Sequence, residues 1–338
     1  MSKLSICIPT YNRSKYLLNC LNSIFIAKRT SDLDFEVCIS DNHSDEKIIP
    51  IINKFKKKFK INFQKNNKNL GMAKNIIKSV SMAKGQYVWI MGNDDLVLPN
   101  TFKTLKKIFK QNLDVDFFYI NTYNIEDNFI KKKNLPLNTK KINFSQFKKF
   151  SNYKTSEKRN FFDLINPFIS YEFLLSMNLC IFKKIHWTEN TNKLNKKNLN
   201  DSRLYSNFDN TAPHVKIWSA AFKDKKSYFF ANPLSANIHG PRTIDWGDYI
   251  PLVEAVRIPE ALECYRNNGM SFIRYFLCKN FALRRFLPSL FKILFISNYK
   301  GLEHLRFKKN LMISLLYPSI YFCGIYFLLK RFIKMIKT

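Results

Sequence analysis

The chain has 338 residues, 46% of them apolar, which is enough to bury a real core and excludes a largely disordered chain. Length alone predicts one large domain or two smaller ones. Lys and Arg number 56 against 25 Asp and Glu, a net charge of +31, which points to a polyanionic neighbour: nucleic acid, an anionic membrane or a phosphorylated substrate.

Leu4 to Ile8 is a short apolar run stopped by Pro9. Ser14 to Ala27 carries Tyr16, Leu17, Leu21, Ile24 and Phe25 at helix spacing. Phe35 to Ile39 is a second apolar run, Glu46 to Phe59 a basic helix candidate, and Ile61 to Gln64 a third strand. Gly71 to Lys84 sets Met72, Ile76, Val80 and Ala83 on one helical face, and Gln86 to Met91 reads as a fourth strand. Strands alternating with helices predict βαβ units and an α/β fold with a mostly parallel sheet. Thr101 to Lys110 then reads as a helix and Asp116 to Thr122 as a strand. Residues 126–160 are rich in Lys and Asn and read as a loop or insertion, and order resumes from Phe161 to Pro251. Ser227 to Ala231 reads as a strand ending in a turn at Pro233, and Val215 to Phe222 as a helix.

Ligands of open α/β sheets bind at the carboxyl ends of the strands. Three polar clusters fall there: Pro9-Thr10-Tyr11-Asn12-Arg13, Asp41-Asn42 and Asp94-Asp95. Any one of them could be an N-cap or a turn; all three in one region argue for a site. Paired carboxylates suit a hard cation such as Mg²⁺ or Mn²⁺, whose shell a diphosphate completes. Asp41 is placed to accept from a base or ribose. There is no Gly-rich P-loop lysine motif, which removes support for a kinase or ATPase. The seven cysteines form no C-x-x-C pair and read as reduced cytosolic thiols, with Cys7 and Cys38, inside apolar runs, as small core residues.

The stretches Ser5-Ile6-Cys7-Ile8-Pro9-Thr10-Tyr11-Asn12-Arg13, Ile39-Ser40-Asp41-Asn42-His43-Ser44-Asp45, Asn69-Leu70-Gly71-Met72-Ala73-Lys74-Asn75 and Trp89-Ile90-Met91-Gly92-Asn93-Asp94-Asp95, with Pro99, resemble the family 2 glycosyltransferases of the GT-A fold. The resemblance covers roughly residues 3–125. It implies a nucleotide-diphospho-sugar donor, Mn²⁺ or Mg²⁺, and inversion at the anomeric carbon. It also implies that Thr10, Tyr11 and Arg13 line the nucleotide pocket and that Asp41 meets the base. Asp94 and Asp95 would form the DXD-type metal and ribose site. Pro9, Asn42, Gly71 and Asn75 complete the expected donor pocket. Many members read Asp-Ser-Asp-Asp where this chain has Gly92-Asn93-Asp94-Asp95, so the first carboxylate is missing.

Ser176 to Trp187 and Asp209-Asn210-Thr211-Ala212-Pro213-His214 are similar, more loosely, to the bacterial abequosyltransferase-like branch. An inverting transfer needs a base; the resemblance implies Asp209, with Asp201 and His214 as alternatives. In His239-Gly240-Pro241-Arg242, Arg242 could pair with phosphate and His239 could ligate the metal.

The expected division is 1–125 for the nucleotide-sugar-binding half, 126–250 for the acceptor-binding half, and 251–338 for a basic, aromatic-rich helical region. Ile313 to Leu329 is a 17-residue apolar stretch with basic flanks on both sides. A spanning helix needs about 20 residues, and basic flanks on both sides do not favour crossing. A helix or helix pair lying in the interface of an anionic membrane fits better; spanning and packing against the domain remain alternatives. With no signal peptide visible, the expected place is the cytoplasm, peripheral on the inner face of the membrane. The expected acceptor is a surface glycan on a lipid carrier. A nucleic-acid-binding protein is the rival from the charge, but no zinc pattern, RRM-like run or helix-turn-helix signature supports it. A catalytically silent GT-A domain binding membrane or a partner is the other.

Overall fold

The alternation of the first hundred residues folds as a parallel sheet. In the computed structural model, which describes residues 3–201, 203–239, 246–306, 312 and 314–336, the strands are β1 (Leu4–Thr10), β2 (Phe35–Asp41), β3 (Ile61–Lys65) and β4 (Tyr87–Ile90). They lie side by side in the order β3-β2-β1-β4, all parallel, with Leu4 opposite Phe35 and Thr10 opposite Asp41. β1, β2 and β4 are buried on both faces, which is why they read as continuous apolar runs. The connecting helices are α1 (Ser14–Lys28), α2 (Ile49–Lys56) and α3 (Met72–Ser81). α2 is shorter than Glu46 to Phe59, because Pro50 occupies its first turn, where a missing N–H is tolerated.

Beyond β4 the topology departs from the simple βαβ reading. β5 (Leu96–Val97) is followed by α4 (Thr101–Gln111), β6 (Phe117–Glu126) and α5 (Asp127–Lys131). Residues 126–160 are ordered around two short strands, β7 (Lys148–Lys149) and β8 (Glu157–Asn160), which pair antiparallel with the sheet's later strands. Leu137 and Phe144 cover a small apolar cluster with Ile125 and Ile238. β9 (Cys180–Lys183) inserts antiparallel between β4 and β6 and leads into α6 (Lys184–Asn190). The short α7 (Lys196–Leu199) and α8 (Phe208–Thr211) precede α9 (Pro213–Ala221). β10 (Lys226–His239) lies parallel to β6 and antiparallel to β5, giving β3-β2-β1-β4-β9-β6-β10-β5. Pro233 does not end the strand; it sits where the register slips between Phe230 and Ser235, a bulge that tolerates the missing donor. One sheet therefore crosses residue 125, and its longest ladders are parallel.

The C-terminal region is helical. α10 (Ile250–Leu252) runs through a π-helical turn at Val253–Arg257 into α11 (Ile258–Asn267). α12 (Phe272–Leu283), α13 (Phe286–Phe295) and α14 (Pro318–Ile336) follow. α11 and α12 are not an appendage: Leu262, Tyr265, Cys278 and Ala282 join Phe117, Phe182 and Trp218 in the core on the α3 face of the sheet. The opposite face is covered by α1, α2 and α4. Among the described residues no helix is long and apolar enough to cross a membrane.

Candidate active site

Three loops at the carboxyl ends of β1, β2 and β4 lock together. Asn93 Nδ2 donates to Thr10 Oγ1 at 2.7 Å, and Arg13 Nη1 meets Asp94 Oδ2 at 2.8 Å. The backbone N–H of Asn42 donates to Thr10 O at 2.8 Å. Asn12 takes a left-handed φ of 46° and donates its N–H to Ser44 Oγ at 2.8 Å. Asn42 then ties in the entry to α3. Its Nδ2 donates to Asn69 Oδ1 at 2.7 Å, and its Oδ1 accepts from the N–H of Leu70 at 2.8 Å. Gly71 follows at φ 81°, a conformation that only glycine adopts cheaply, so the chain turns straight into α3. Asn75, buried on α3, donates to Ser40 O at 3.1 Å and accepts from Ser40 Oγ at 2.7 Å.

These loops form one wall of a cavity of about 930 Å³. Pro9, Thr10, Tyr11, Arg13, Asn42, Gly71, Asn75, Asp94 and Asp95 all line it, so the expected donor residues converge. Asp41 lies behind that wall, fully buried, with Ser44 donating to Oδ1 and no hydrogen-bond partner at Oδ2. Arg242 and the side chain of His239 lie outside the described residues.

Gly92 stands where the expected acidic motif would carry its first carboxylate. A Cβ at Gly92 would stand 2.7 Å from Asp94 Oδ1 and 2.8 Å from Asp95 Oδ2. One oxygen of each acid therefore turns to the same point above the glycine. Asp95 Oδ2 also accepts from the N–H of Gly92 at 3.0 Å. No group of three or more His, Cys, Asp or Glu among the described residues could hold a metal alone. Two converging carboxylates do fit a Mg²⁺-type ion whose remaining ligands come from substrate phosphates and water.

The three base candidates part company. Asp209 is buried and does not line the cavity. Its carboxylate accepts from Asn195 N at 3.0 Å, Asn198 Nδ2 at 2.9 Å and Lys216 Nζ at 2.8 Å, tying α7, α8 and α9 together. Asp201 is also off the cavity; Arg203 grips it through Nε at 3.0 Å and Nη2 at 2.7 Å and holds its pKa far below the usual range. His214 does line the cavity. Its Nε2 donates to Leu175 O at 3.0 Å, and burial pushes its pKa down to about 4. That shift has a pH consequence. The unfolded imidazole takes a proton below about pH 6.5 while the folded one does not until about pH 4. Stability present above pH 6.5 is therefore lost as pH falls to 4, by roughly 3 kcal/mol. Urea midpoints measured across that window should fall, and His214→Gln should flatten the fall. An unchanged slope in the variant would refute the assignment.

The far wall holds residues that sequence patterns did not single out: Tyr171, Glu172, Tyr205, Glu254, Arg284 and Arg285. Glu172 had one available signal, a lone acid inside the apolar run from Phe168 to Leu175. The arginines come from the junction of α12 and α13, and no local pattern joins them to a site at β1.

A sheet with donor-type residues at the carboxyl ends of β1, β2 and β4, and an antiparallel strand inserted beside β4, is the architecture of a GT-A glycosyltransferase. The family model for glycosyl transferase family 2 matches residues 5–175, and the chain belongs to that family. It is 39% identical over 114 residues to abequosyltransferase RfbV of Salmonella typhimurium, covering 33% of this chain and 34% of that one. It is 30% identical over 107 residues to the poly(ribitol-phosphate) beta-N-acetylglucosaminyltransferase TarS of Staphylococcus aureus, covering 30% of this chain and 18% of that one. These matches span about a third or less of the relatives' lengths. The structure of S. aureus TarS residues 1–349 in complex with UDP superposes with a TM-score of 0.57 at 16% identity, over 89% of this chain and 76% of that one. That likeness establishes the GT-A fold.

Proposed function

We propose that this enzyme moves a sugar, with inversion, from a nucleoside diphosphate donor to a bacterial surface glycan carried on a lipid at the inner face of the membrane. The observation that carries the reading is the convergence of the β1, β2 and β4 loops on one cavity that continues to a far wall carrying arginines, carboxylates and tyrosines. Arg13, on the cavity wall beside Asp94, suits a diphosphate. Asp94 and Asp95 are the residues that would hold Mg²⁺ or Mn²⁺. When bound, that ion would neutralise charge on the departing diphosphate. RfbV and TarS, by their names, transfer abequose and N-acetylglucosamine, and they support a surface-glycan acceptor here.

Arg284 and Arg285 at the far wall suit a phosphate on the acceptor. Arg284 has its guanidinium 3.5 Å from the Phe281 ring centroid and no carboxylate partner among the described residues. Membrane attachment is supported by the surface beyond it. Of the 23 exposed large apolar side chains among the described residues, 15 fall from Phe272 onward, a concentration typical of an interaction face.

The test is a panel of UDP-, GDP-, CDP- and dTDP-sugars scored by thermal unfolding with Mn²⁺ or EDTA. One nucleotide class should stabilise the protein by about 2.7 kcal/mol at a hundredfold excess over Kd, and less with EDTA. No shift with any donor would overturn the reading.

A further inference from the structure

We propose that Glu172 is the base that takes the proton from the acceptor hydroxyl, an assignment that rests on the transferase reading above. Four carboxylates line the cavity: Asp94, Asp95, Glu172 and Glu254. Asp94 and Asp95 belong to the donor loop. Glu254 is committed to Arg285 and to Ser289, whose Oγ donates to it at 2.7 Å. Glu172 faces the cavity with only hydroxyl partners: Ser176 Oγ donates to it, and the Tyr171 hydroxyl lies beside it.

The backbone around Glu172 is held in an unusual shape. Phe173 and Leu174, the next two residues, both sit in the left-handed region at φ 50° and 65°. Two bulky residues in succession there are strained, and such strain clusters at functional sites. Both side chains are fully buried, so packing holds the turn. The turn is also tethered toward the donor loop. Trp89 Nε1 on β4 donates to Asn178 O at 2.6 Å, two residues beyond the Ser176 that holds Glu172. β4 leads directly into Gly92 and the acid pair. Glu172 thus sits across the cavity on a segment fastened to the strand that presents the donor.

Its environment also suits the role. Burial pushes the Glu172 carboxyl above the usual range, and Glu254 adds to the push; Ser176, Tyr171 and Arg285 pull it back. Tyr119, from β6, and His214, from α9, face the same segment. A carboxylate whose pKa is raised is a stronger base than an ordinary one while it remains ionised.

Glu172 accepts the acceptor's hydroxyl proton as that oxygen bonds to the anomeric carbon. The bond from that carbon to the phosphate oxygen breaks, and the electron pair leaves with the nucleoside diphosphate. Glu172 then returns the proton to solvent. Water as acceptor needs the same proton transfer, so donor hydrolysis reports on it without a known acceptor.

The experiment uses the full chain and the donor that stabilises it most. Nucleoside diphosphate release is followed from pH 4.5 to 8.5, with water alone and with polyprenyl-linked glycans extracted from bacterial membranes. Glu172→Gln keeps the shape and the Ser176 contact. It should lower kcat by about 10²–10⁴-fold, leave the donor-induced rise in Tm unchanged, and lose the acid limb of the profile. Ser176→Ala removes a hydrogen bond that favours the charged carboxylate, so it should move that limb to higher pH. Asp209→Asn should keep kcat within a few-fold and lower Tm. A Glu172→Gln protein with wild-type kcat, or a Ser176→Ala protein with an unmoved limb, overturns the assignment. A collapse of kcat in Asp209→Asn with normal Tm returns the role to Asp209. Absence of turnover and of donor binding in the wild type overturns the transferase reading, and this one with it.

Discussion

Asp95→Asn should leave the protein folded and lower donor turnover by roughly 10³-fold or more. The substitution isolates charge from shape. Asp95 Oδ2 accepts from the N–H of Gly92 at 3.0 Å, and an Asn oxygen preserves that bond, so the loop after β4 stays in place. What disappears is one of two carboxylates that turn toward the same point above Gly92. Stabilising charge on a phosphate leaving group contributes several kcal/mol, which fixes the expected fall. The Mn²⁺-dependent part of the donor-induced thermal shift should vanish with it. Asp94→Asn should act more broadly, because it also releases Arg13, paired at 2.8 Å and nearly buried. Wild-type turnover by the Asp95→Asn protein with EDTA present would sink the metal-site proposal.

The wall built by the loops after β1, β2 and β4 was legible because it is local. Each of its residues stands at the end of an apolar run or the start of a helix, and strand ends on a parallel sheet face one way. Thr10, Asp41 and Asp94 could therefore be placed together without knowing a single long-range contact. The far wall was not legible in this way. Asp209 lies in an acidic, Asn-rich segment of the kind that the resemblance associates with a base. In the fold that richness is explained by capping: Asn195 and Asn207 cap α7 and α8, and Asp209 braces them against Lys216. Glu172 had the opposite appearance, an acid hidden in an apolar run. The later strands were missed for a similar reason. β9 is four residues long and antiparallel, and its place between β4 and β6 depends on pairing that no local periodicity encodes. The tail reads in sequence as one basic, aromatic stretch, although α11 and α12 contribute Leu262, Tyr265, Cys278 and Ala282 to the core on that face.

Substituting Phe322, Ile325 and Tyr326 with Ser together should release the protein from anionic vesicles by roughly 10³-fold while leaving Tm and donor binding unchanged. All three lie on one face of α14 and are exposed, at 74%, 58% and 67%. The other face is already used. Tyr317, just before α14, stacks on Phe276 at 5.4 Å, Ile320 packs with Leu283 and Phe286, and Gly324 sits against Leu287. A helix apolar on both faces needs a second surface, and exposed Phe272, Ile273 and Leu277 on α12 extend the same character. Inserting each large apolar side chain contributes about 1.5–3 kcal/mol, so losing three accounts for the expected factor. Salt should loosen the native protein only in part, since each Lys or Arg near the anionic surface adds about 1 kcal/mol and apolar insertion is unscreened. Deleting the chain after Leu311 is a coarser experiment with a different expected result. It strips the cover from Lys279, buried at 2% exposure beneath Tyr317, and removes Ile320 from its cluster. Vesicle binding and Tm should therefore fall together in the truncation, whereas the triple Ser variant separates them. Flotation of the triple variant at wild-type levels would place the attachment face elsewhere on the molecule.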